Sequence, residues 1–397
     1  MKEAFLVINA GSSSIKFSVF FRHQNSLSLG SRGQIEGIGL RPNFLVKDHL
    51  GKVLAEKYWE NSVEITHDFL MKFLIEWLEV NLQGVKVKAA GHRVVHGGTE
   101  FPSPVIVTDD IIAKLEKLIP LAPLHQGHNL AAIKALKKVF PTLPQVACFD
   151  TSFHATNPEV LRHFFIPREL EREGVRRYGF HGLSYESITK TLQNLDPEVA
   201  NKKVIVAHLG SGSSMCALDG GKSVVSSMGL TALDGIPMGT RPGQLDVGVV
   251  LYLLREKKMN ADQIEDFLYK KSGLLGLSGI SNDMRVLEES QDPWVKEAIE
   301  AYIWRICQMV GSLAAVVQGM DVLVFTAGIG ENSAQIRLKV CERLAWLGVN
   351  VDSEVNSNLQ KNGFLISTPT SLVKVFVIPT NEELMIAEHI LDLVSTC

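Results

Sequence analysis

A chain of 397 residues is long for a single hydrophobic core, so two domains are expected. Hydrophobic residues make up 46% and charged residues 21%, as in folded soluble proteins, and a net charge of −3 gives no electrostatic reason to expect nucleic acid or a membrane as partner. Five scattered cysteines without a CxxC pair argue against a disulfide framework or a zinc site. With no signal-peptide pattern at the N-terminus, the sequence predicts a cytoplasmic protein.

The first part of the chain is predicted to be strands followed by helices. Apolar runs between turn residues predict strands at 4–9, 15–20, 33–39 and 43–48. Helices are predicted at 65–82, 108–119 and 128–139, the first burying Phe69, Phe73, Ile75 and Leu78. The run "VKAAGHRVVHGG" indicates a strand that ends in a glycine-rich loop, and "QVACFD" indicates a short strand. No linker marks the end of this part near Asp150, so the domain boundary is soft.

The second part opens with "VIVAHLGSGSSMCAL", two strands joined by a glycine/serine turn. Helices are predicted at 245–258, 262–271 and 294–318. After them come the strand "DVLVFTAG", a helix from about Glu331, the strand "VKVFVIPT" and a last helix from Asn381. The glycine cluster "TAGIGEN" lies where a buried strand meets a helix, which is a natural position for a nucleotide contact.

Two glycine/serine turns occupy corresponding positions in the two halves. "FLVINAGSSSIKFSVF" and "VIVAHLGSGSSMCAL" each place such a turn between two apolar strands, which indicates an internal duplication. Walker and Rossmann loops open a helix, but Ile15 and Phe17 alternate with Lys16 and Ser18, so this chain leaves the turn as a strand. Backbone N–H groups and the hydroxyls of Ser12–Ser14 could still bind an anion, with Lys16 adding charge. The alternative is a plain hairpin with a solvated lysine.

The motifs together identify a family. They are "NAGSSSIKF", "GHRVVHGG", "PLAPLH", "FDTSFH", "RRYGFHG", "AHLGSGSS", "SMGLTALDGIPMGTR", "SGLLGLSGISNDMR", "TAGIGENS" and "IPTNEE". Through them nearly the whole chain resembles the acetate kinase family, the short-chain carboxylate kinases of the actin, Hsp70 and sugar-kinase fold group. The resemblance implies a duplicated two-domain α/β fold, ribonuclease H-like, with an interdomain cleft. It implies an N-terminal domain of 1–150 plus 381–397 with the carboxylate side and first phosphate loop, and a C-terminal domain of 151–380 for nucleotide binding and dimerisation.

The resemblance also implies an activity, cofactors and site residues. The implied reaction is reversible transfer of the ATP γ-phosphoryl group to acetate, giving acetyl phosphate and ADP, with Mg²⁺ or possibly Mn²⁺, in a homodimer. A propionate kinase or other short-chain carboxylate kinase is the alternative. The residues matching catalytic positions are Asp150, His181 and Arg241, and those matching substrate positions are Arg93, Val95 and His125. Asn9 and Glu382 match metal positions. Those matching ATP positions are Ser14, Lys16, His208, Leu209, Gly210, Ser211, Gly212, Asp283, Met284, Arg285, Gly328, Ile329, Gly330, Glu331 and Asn332.

These residue types suit the chemistry. A carboxylate acceptor, with a pKa of roughly 4, is already ionised at neutral pH, so the obstacle is its repulsion from the γ-phosphoryl oxygens rather than the lack of a base. An arginine fork at Arg93 can bind both carboxylate oxygens, and Arg241 and His181 can contact the phosphoryl group. Asp150 is expected to orient an arginine or a Mg²⁺-bound water, not to act as a base. Taken alone, Arg93 and His181 could instead be structural residues.

The chain departs from the family pattern at a few positions. Ser211 stands where the family usually has asparagine, and Gln126-Gly127 replaces Asn-Pro after His125. By resemblance Val95 lines the pocket for the alkyl group and favours acetate over propionate, although one methylene is worth only about 1–3 kcal/mol. His92 and His96 are expected to be structural. A rival hypothesis is an ATP-driven module like Hsp70 or actin, but those proteins lack the motifs of Arg93, His181 and Arg241. The helix 294–318 is a candidate dimer interface.

Overall fold

A computed structural model of the chain describes residues 2–11, 14–24, 26–60, 65–123, 125–359 and 364–395. The strands are β1 (Lys2–Ala10), β2 (Ser14–His23), β3 (Ser26–Glu36), β4 (Asn43–Asp48), β5 (Val53–Tyr58), β6 (Val85–Val94), β7 (Val105–Ile106), β8 (Gln145–Phe149), β9 (Lys203–His208), β10 (Ser214–Asp219), β11 (Lys222–Ser226), β12 (Val322–Thr326) and β13 (Lys374–Val377).

The helices alternate with these strands. They are α1 (His67–Asn81), α2 (Asp109–Glu116), α3 (Gln126–Val139), α4 (Arg168–Arg172), α5 (Gly182–Leu195), α6 (Val247–Arg255), α7 (Ala261–Lys270), α8 (Gly273–Ser278), α9 (Met284–Glu289), α10 (Pro293–Val317), α11 (Ala327–Asn332), α12 (Ala334–Arg343), α13 (Ser353–Ser357) and α14 (Glu382–Ser395). Short 3₁₀ turns lie at Ile119–Leu121, Ser152–Thr156, Glu159–Arg162, Pro197–Asn201 and Ala345–Leu347. No helix in the described ranges combines the length and the apolar character needed to span a membrane.

The chain divides into two compact units, Met1–Phe153 with Asn381–Cys397, and His154–Thr380. The first unit contains an eight-stranded sheet in the order β5-β4-β3-β2-β1-β6-β8-β7. The strands β1 to β5 pair antiparallel in sequence, whereas β6 lies parallel to β1 and β8 parallel to β6. Helix α14 belongs to this unit, although it comes from the end of the chain.

Helices cover both faces of the first sheet. On one face, α1 and α3 bury Leu70, Leu74 and Leu136 together with Ile8 and Phe17. Phe69, which the sequence pattern placed on the buried face of α1, is 42% exposed instead, because the apolar stripe runs through Leu70, Leu74 and Leu78. The other face carries α14, which packs closely enough that a Cβ at Gly91 would meet Ile386 at 2.5 Å. Glycine is therefore required at that position of β6.

The sheet of the second unit repeats the order and directions of five strands of the first, β3-β2-β1-β6-β8. This five-stranded sheet has the order β11-β10-β9-β12-β13, with antiparallel pairing of β9, β10 and β11 and parallel pairing of β9, β12 and β13. In each unit a hairpin therefore continues on one side as an antiparallel meander and on the other as parallel strands. Helix α10 forms part of the core of this unit through Val295, Tyr302, Ile306 and Val310.

The structure differs from the predicted elements in where some of them begin and end and in several that were not predicted. The strand at 33–39 is shifted, since β3 ends at Glu36. The elements that were not predicted are β5, β7, β11, α4, α5, α8, α9 and α13. The helix expected from about Glu331 begins at Ala327, so the "TAGIGEN" glycines are themselves helical. Eleven of the 25 residues of α10 are buried in the core of the second unit, so the core accounts for much of its apolar character.

Candidate active site

The first glycine/serine turn joins β1 to β2 and is held by hydrogen bonds at both ends. The N–H of Gly11 donates to the carbonyl of Ser14 at 2.8 Å, and His67 Nε2 donates to the Gly11 carbonyl at 3.0 Å. Ser12 and Ser13, considered above as donors, lie outside the described residues. Lys16 lies on the second strand and is exposed. The turn therefore joins the two strands of a hairpin, as the period-two pattern predicted, and Lys16 follows it.

Strand register places three predicted site residues in one row of the first sheet. Asn9 pairs directly with Lys16, and Ile8 pairs with His92, so Arg93 lies beside Asn9 on the neighbouring strand β6. Their flanking residues face the buried side of the sheet, which leaves this row on the face covered by α14. Arg93 Nη1 is 3.5 Å from Asn9 Oδ1. The row is polar, although the strands around it are apolar.

Arg93 forms a forked ion pair with Asp150, the residue that follows β8. Nε of Arg93 lies 2.9 Å from Oδ1, and Nη2 lies 2.6 Å from Oδ2. Burial alone would lower the pKa of Arg93, but the carboxylates of Asp150 and Glu382 outweigh it and raise that pKa above its ordinary value. The guanidinium therefore stays charged at any working pH. Its side chain remains 21% exposed, whereas that of Asp150 is 2% exposed.

The loop after β6 carries Val95 and is held by the first turn of α3. Val95 is buried, and its N–H donates to Asn129 Oδ1 at 3.0 Å. Gln126 exchanges two hydrogen bonds with the backbone of His96, at 3.0 and 3.2 Å. His125 is the residue before α3, and its N–H donates to the Ala122 carbonyl at 3.1 Å. Gln126 is thus a buried loop anchor, which explains why glutamine is accommodated at this departure from the family pattern.

The buried histidines of this unit behave as structural residues. Desolvation lowers the pKa of His92 and of His96 to about 4, so both rings are neutral. His96 Nδ1 accepts the N–H of Gly98 at 2.9 Å, which closes the glycine-rich loop.

The predicted metal residues, Asn9 and Glu382, belong to the first unit. They offer one amide oxygen and one carboxylate, and the described part of the chain contains no group of three His, Cys, Asp or Glu able to hold a metal ion. Mg²⁺ takes oxygen ligands, keeps several waters and uses few protein ligands. The donor set therefore fits Mg²⁺ and does not fit an ion, such as Zn²⁺, that needs a closed protein site.

In the second unit, the turn between β9 and β10 is joined to the start of α11. The carbonyl of Leu209 accepts the N–H groups of Ile329 and Gly330 at 2.7 and 3.0 Å, and the Leu209 N–H donates to the Thr326 carbonyl at 3.0 Å. Ser213 Oγ accepts from the Gly210 N–H and donates to its carbonyl. Two glycine motifs that lie far apart in sequence therefore form one surface.

That surface forms one wall of a cavity of about 570 Å³. All three predicted nucleotide segments of the second unit contribute to it, as do three residues that were not predicted. The predicted lining residues are Gly210, Ser211, Asp283, Met284, Arg285, Gly328, Ile329 and Asn332, and the additional ones are Asn282, Glu288 and Ser333. Each additional residue is a direct sequence neighbour of a predicted segment, or lies one helical turn from it. Their nearness in sequence to the predicted segments was the signal that could have identified them.

Some predicted nucleotide residues serve the fold of this region. His208, Leu209, Gly212, Gly330 and Glu331 do not line the cavity. The Glu331 carboxylate accepts the N–H groups of Ala327 and Thr380, at 2.8 and 3.2 Å. Asp283 caps α9 and forms a forked pair with Arg285, whose Nη2 lies 2.6 Å from Oδ2. This ion pair lowers the pKa of Asp283, so the carboxylate stays charged.

The side chains of Arg241 and His181 both lie close to Gly212. A Cβ built at Gly212 would lie 2.9 Å from Arg241 Nη2 and 3.4 Å from His181 Nε2. The His181 ring stacks on His208 with centroids 4.2 Å apart, and its Nδ1 shares a hydrogen bond of 2.8 Å with Ser214 Oγ. His181 adopts a left-handed φ of 56°, which is unusual for a non-glycine residue and typical of functional sites. The imidazole Nε2 of His181 and the guanidinium of Arg241 therefore both approach the same position beside Gly212.

His154 holds the residue before His181. Its Nε2 donates to the Phe180 carbonyl at 2.9 Å, and its Nδ1 shares a hydrogen bond with Ser223 Oγ at 2.8 Å. Burial lowers the pKa of His154 to about 4, so it is neutral. The ring lies so close to Gly179 that a Cβ there would be 2.7 Å from it. The sequence contained this residue in the "FDTSFH" motif, but nothing local in the motif revealed its partner.

The predicted residues thus fall into two groups. Asn9, Lys16, Arg93, Asp150 and Glu382 belong to the first unit, while His181, Arg241 and the nucleotide cavity belong to the second. The first group presents a charged arginine fork beside an amide and a carboxylate. The second presents a cavity lined by backbone and polar groups, with a guanidinium and an imidazole close by. A fork suits a carboxylate ligand, and the cavity suits a phosphorylated one.

Comparisons with known proteins agree with these features. A sequence model described as the Acetokinase family matches residues 4–388. A Nitrobacter hamburgensis protein named acetate kinase is 51% identical over 98% of this chain and 96% of its own, and one from Rhodopseudomonas palustris is 51% identical over 98% of both chains.

Solved structures give the same result. A propionate kinase from Francisella tularensis has a TM-score of 0.89 at 38% identity and covers 98% of both chains. An acetate kinase from Porphyromonas gingivalis has a TM-score of 0.87 at 35% identity and covers 99% of this chain and 100% of that one. These likenesses confirm the expected duplicated α/β fold of the actin, Hsp70 and sugar-kinase group. The chain belongs to the acetokinase family.

Proposed function

We propose that this chain is an acetate kinase, which transfers the γ-phosphoryl group of ATP reversibly to acetate and forms acetyl phosphate and ADP. The observation that carries the proposal is the 51% identity, over 98% of the chain, to relatives named acetate kinase. The first unit supplies the carboxylate side and the second unit the nucleotide side. The reaction needs no general base, because acetate is an anion at neutral pH.

Arg93 binds the acetate carboxylate in this proposal. Asp150 occupies the Nε–Nη2 edge of the guanidinium and so orients it, and the raised pKa of Arg93 keeps the positive charge in place. A fixed arginine fork can bind a second carboxylate with two parallel hydrogen bonds. Asp150 is thereby a positioning residue. Its hydrogen bonds to Arg93 support this role rather than proton abstraction.

Arg241 and His181 bind the transferring phosphoryl group, and ATP occupies the cavity of about 570 Å³. Negative charge builds on the equatorial phosphoryl oxygens during transfer. A guanidinium and an imidazole directed at these oxygens therefore stabilise the transition state more than the ground state. Their approach to the same point beside Gly212 supports this assignment. Ser14 and Lys16, at the start of β2 after the first turn, contact the phosphates in this proposal.

Asn9 and Glu382 would hold Mg²⁺, with Mn²⁺ as a substitute. When bound with ATP, the ion neutralises phosphate charge that would otherwise repel the incoming carboxylate. Asn9 also lies beside Arg93, so the same amide contributes to the polar row that receives the acetate.

We also assign a homodimer and a cytoplasmic location. Helix α6 supports the dimer, because Val247, Leu251, Tyr252 and Leu254 are exposed on an apolar helix that buries only Leu253. The four cysteines in the described part of the chain are buried and form no disulfide, which suits a reducing compartment. Size-exclusion chromatography with light scattering tests the dimer, and Leu251→Glu with Leu254→Glu should yield a monomer. A monomeric parent chain would contradict it.

The substrate preference separates the two family activities. Val95 is buried and narrows the alkyl side, which favours acetate, whereas the solved neighbour at 38% identity is named a propionate kinase. We expect kcat/KM to fall from acetate to propionate to butyrate. A higher kcat/KM for propionate would assign the chain to the alternative.

The direct test is incubation with ATP, Mg²⁺ and acetate, with acetyl phosphate trapped as its hydroxamate. We expect hydroxamate from the parent chain and a loss of about 100-fold or more in Arg241→Gln, in line with losing a charge-stabilising donor. Arg168→Gln, at an exposed arginine of α4, is the matched control and should retain activity. ATP turnover without an acyl phosphate product would favour the rival hypothesis of an ATP-driven module like Hsp70 or actin.

A further inference from the structure

Asn129, in the first turn of α3, joins the ends of two strands. Its Nδ2 donates to the Ala10 carbonyl at 2.6 Å, and its Oδ1 accepts the Val95 N–H at 3.0 Å. The side chain is only 3% exposed. Ala10 ends β1 directly after Asn9, and Val95 follows the end of β6, two residues after Arg93. One buried amide therefore connects the ends of the two strands that carry Asn9 and Arg93.

The chemistry of this contact requires an amide. The backbone partners are one carbonyl and one N–H, so the side chain must donate on one side and accept on the other. Aspartate could accept from Val95 but would place a second oxygen against the Ala10 carbonyl. An alanine would leave both backbone groups buried without this partner, which is unfavourable for each of them.

Gln126, three residues earlier in the first turn of α3, strengthens the anchor. It binds the N–H and the carbonyl of His96 and is fully buried. The backbone on both sides of the Val95–His96 peptide is thus tied to the same helical turn. The Val95 side chain has a branched Cβ with few rotamers, so its position follows the backbone.

We propose that Asn129 is a positioning residue that sets acyl-chain selectivity by fixing the Val95 backbone. The inference rests on the proposed function, in which Val95 limits the alkyl pocket. Discrimination of one methylene is worth about 10- to 200-fold in kcat/KM and requires a pocket wall that does not move. A valine on a tethered loop excludes the extra methylene, whereas the same valine on a released loop moves aside.

The test compares kcat/KM for propionate with kcat/KM for acetate in the full chain. We expect the propionate-to-acetate ratio to rise about 5- to 10-fold in Asn129→Ala, which is part of the discrimination available for one methylene. In Asn129→Asp the ratio should stay near the parent value, because the bond to Val95 is kept, while kcat falls through the disturbed end of β1. Leu130→Ala, a buried change at the next residue of the helix, should lower stability and leave the ratio unchanged.

A double-mutant cycle distinguishes positioning from a general structural role. If Asn129 acts through Val95, Val95→Ala alone should raise the ratio, and adding Asn129→Ala should change it by less than about 2-fold. Multiplicative effects, or a ratio unchanged in Asn129→Ala, would overturn the proposal. If Asn129→Ala does not fold, Asn129→Thr, which cannot form both hydrogen bonds, is measured in its place. A parent chain without acetyl phosphate formation would instead contradict the proposed function.

Discussion

Arg93 and Asp150 are joined by two short hydrogen bonds from one edge of the guanidinium, 2.9 Å from Nε and 2.6 Å from Nη2. They come from neighbouring parallel strands, since Arg93 lies on β6 and Asp150 follows β8. An aspartate beside an anionic substrate would be repulsive by itself. Its pairing with Arg93 explains how the site tolerates a buried acid.

We expect Asp150→Asn to lower kcat about 10- to 100-fold, because the amide keeps the shape but orients the guanidinium less firmly. The pH–rate profile should gain no new acidic limb, since Asp150 transfers no proton. Steady-state kinetics across the pH range measures both effects. Asp266→Asn, which removes a carboxylate from an exposed ion pair with Lys271, is the control and should keep the parent kcat. An acidic limb present in the parent and absent from Asp150→Asn would contradict the positioning role.

Gly212→Ala should lower kcat with little effect on stability. The new Cβ would lie 2.9 Å from Arg241 Nη2, and the flexible end of that side chain can move away. The displaced guanidinium would then stabilise the phosphoryl group less well, and we expect a loss of about 10-fold or more in kcat. Gly311→Ala is the control, because a Cβ at this position of α10 would have no atom within 4 Å and alanine favours a helix. An unchanged kcat in Gly212→Ala would contradict the placement of Arg241.

Arg337→Lys should raise KM for ATP more than KM for acetate. The buried guanidinium donates to the carbonyls of Gly330 and Glu331 at 2.9 Å and to Asn356 at 2.8 Å, so it supports the α11 end of the nucleotide cavity. A lysine cannot make all these bonds, and the unmet carbonyls should also cost about 1–3 kcal/mol of stability. Arg343→Lys, at the end of the same helix, is the control. Equal changes in both KM values would argue against a specific effect on the nucleotide side.

The free energy of unfolding should fall as pH drops from 6.5 towards 4. His92, His96 and His154 have pKa values of about 4 in the fold, against an ordinary value of 6.5, because burial disfavours the charged ring. The unfolded chain therefore binds more protons in this window, so stability rises with pH and is fully present above 6.5. For each histidine, this shift in pKa lowers the free energy of unfolding by on the order of 3 kcal/mol across the whole window.

Urea unfolding at about pH 7 and about pH 5 measures this effect, which lies mostly above the pKa range of ordinary carboxylates. Proton uptake on unfolding at the lower pH provides a second measurement. A free energy of unfolding that is the same at both pH values would show that these rings are not held neutral in the fold.

Local pattern was sufficient for much of this protein. The alternation after Gly11 identified a hairpin rather than a Walker loop, and the run at 43–48 matched β4 in full. These features depend on neighbouring residues, whose side chains alternate across a strand or repeat along a helix. The family followed from long polar motifs in the same way.

Other features required contacts between distant parts of the chain. The anchoring roles of Gln126 and Asn129, the support of Phe180 by His154 and the buried guanidinium of Arg337 all involve partners many residues away. A polar side chain looks the same in the sequence whether it faces water or satisfies a buried backbone group. The amino-acid order alone determined many of the elements, the family and the residue types of the site. Only the tertiary structure decided which backbone groups those side chains satisfy, because buried hydrogen bonds are formed between strands and helices that the chain brings together on folding.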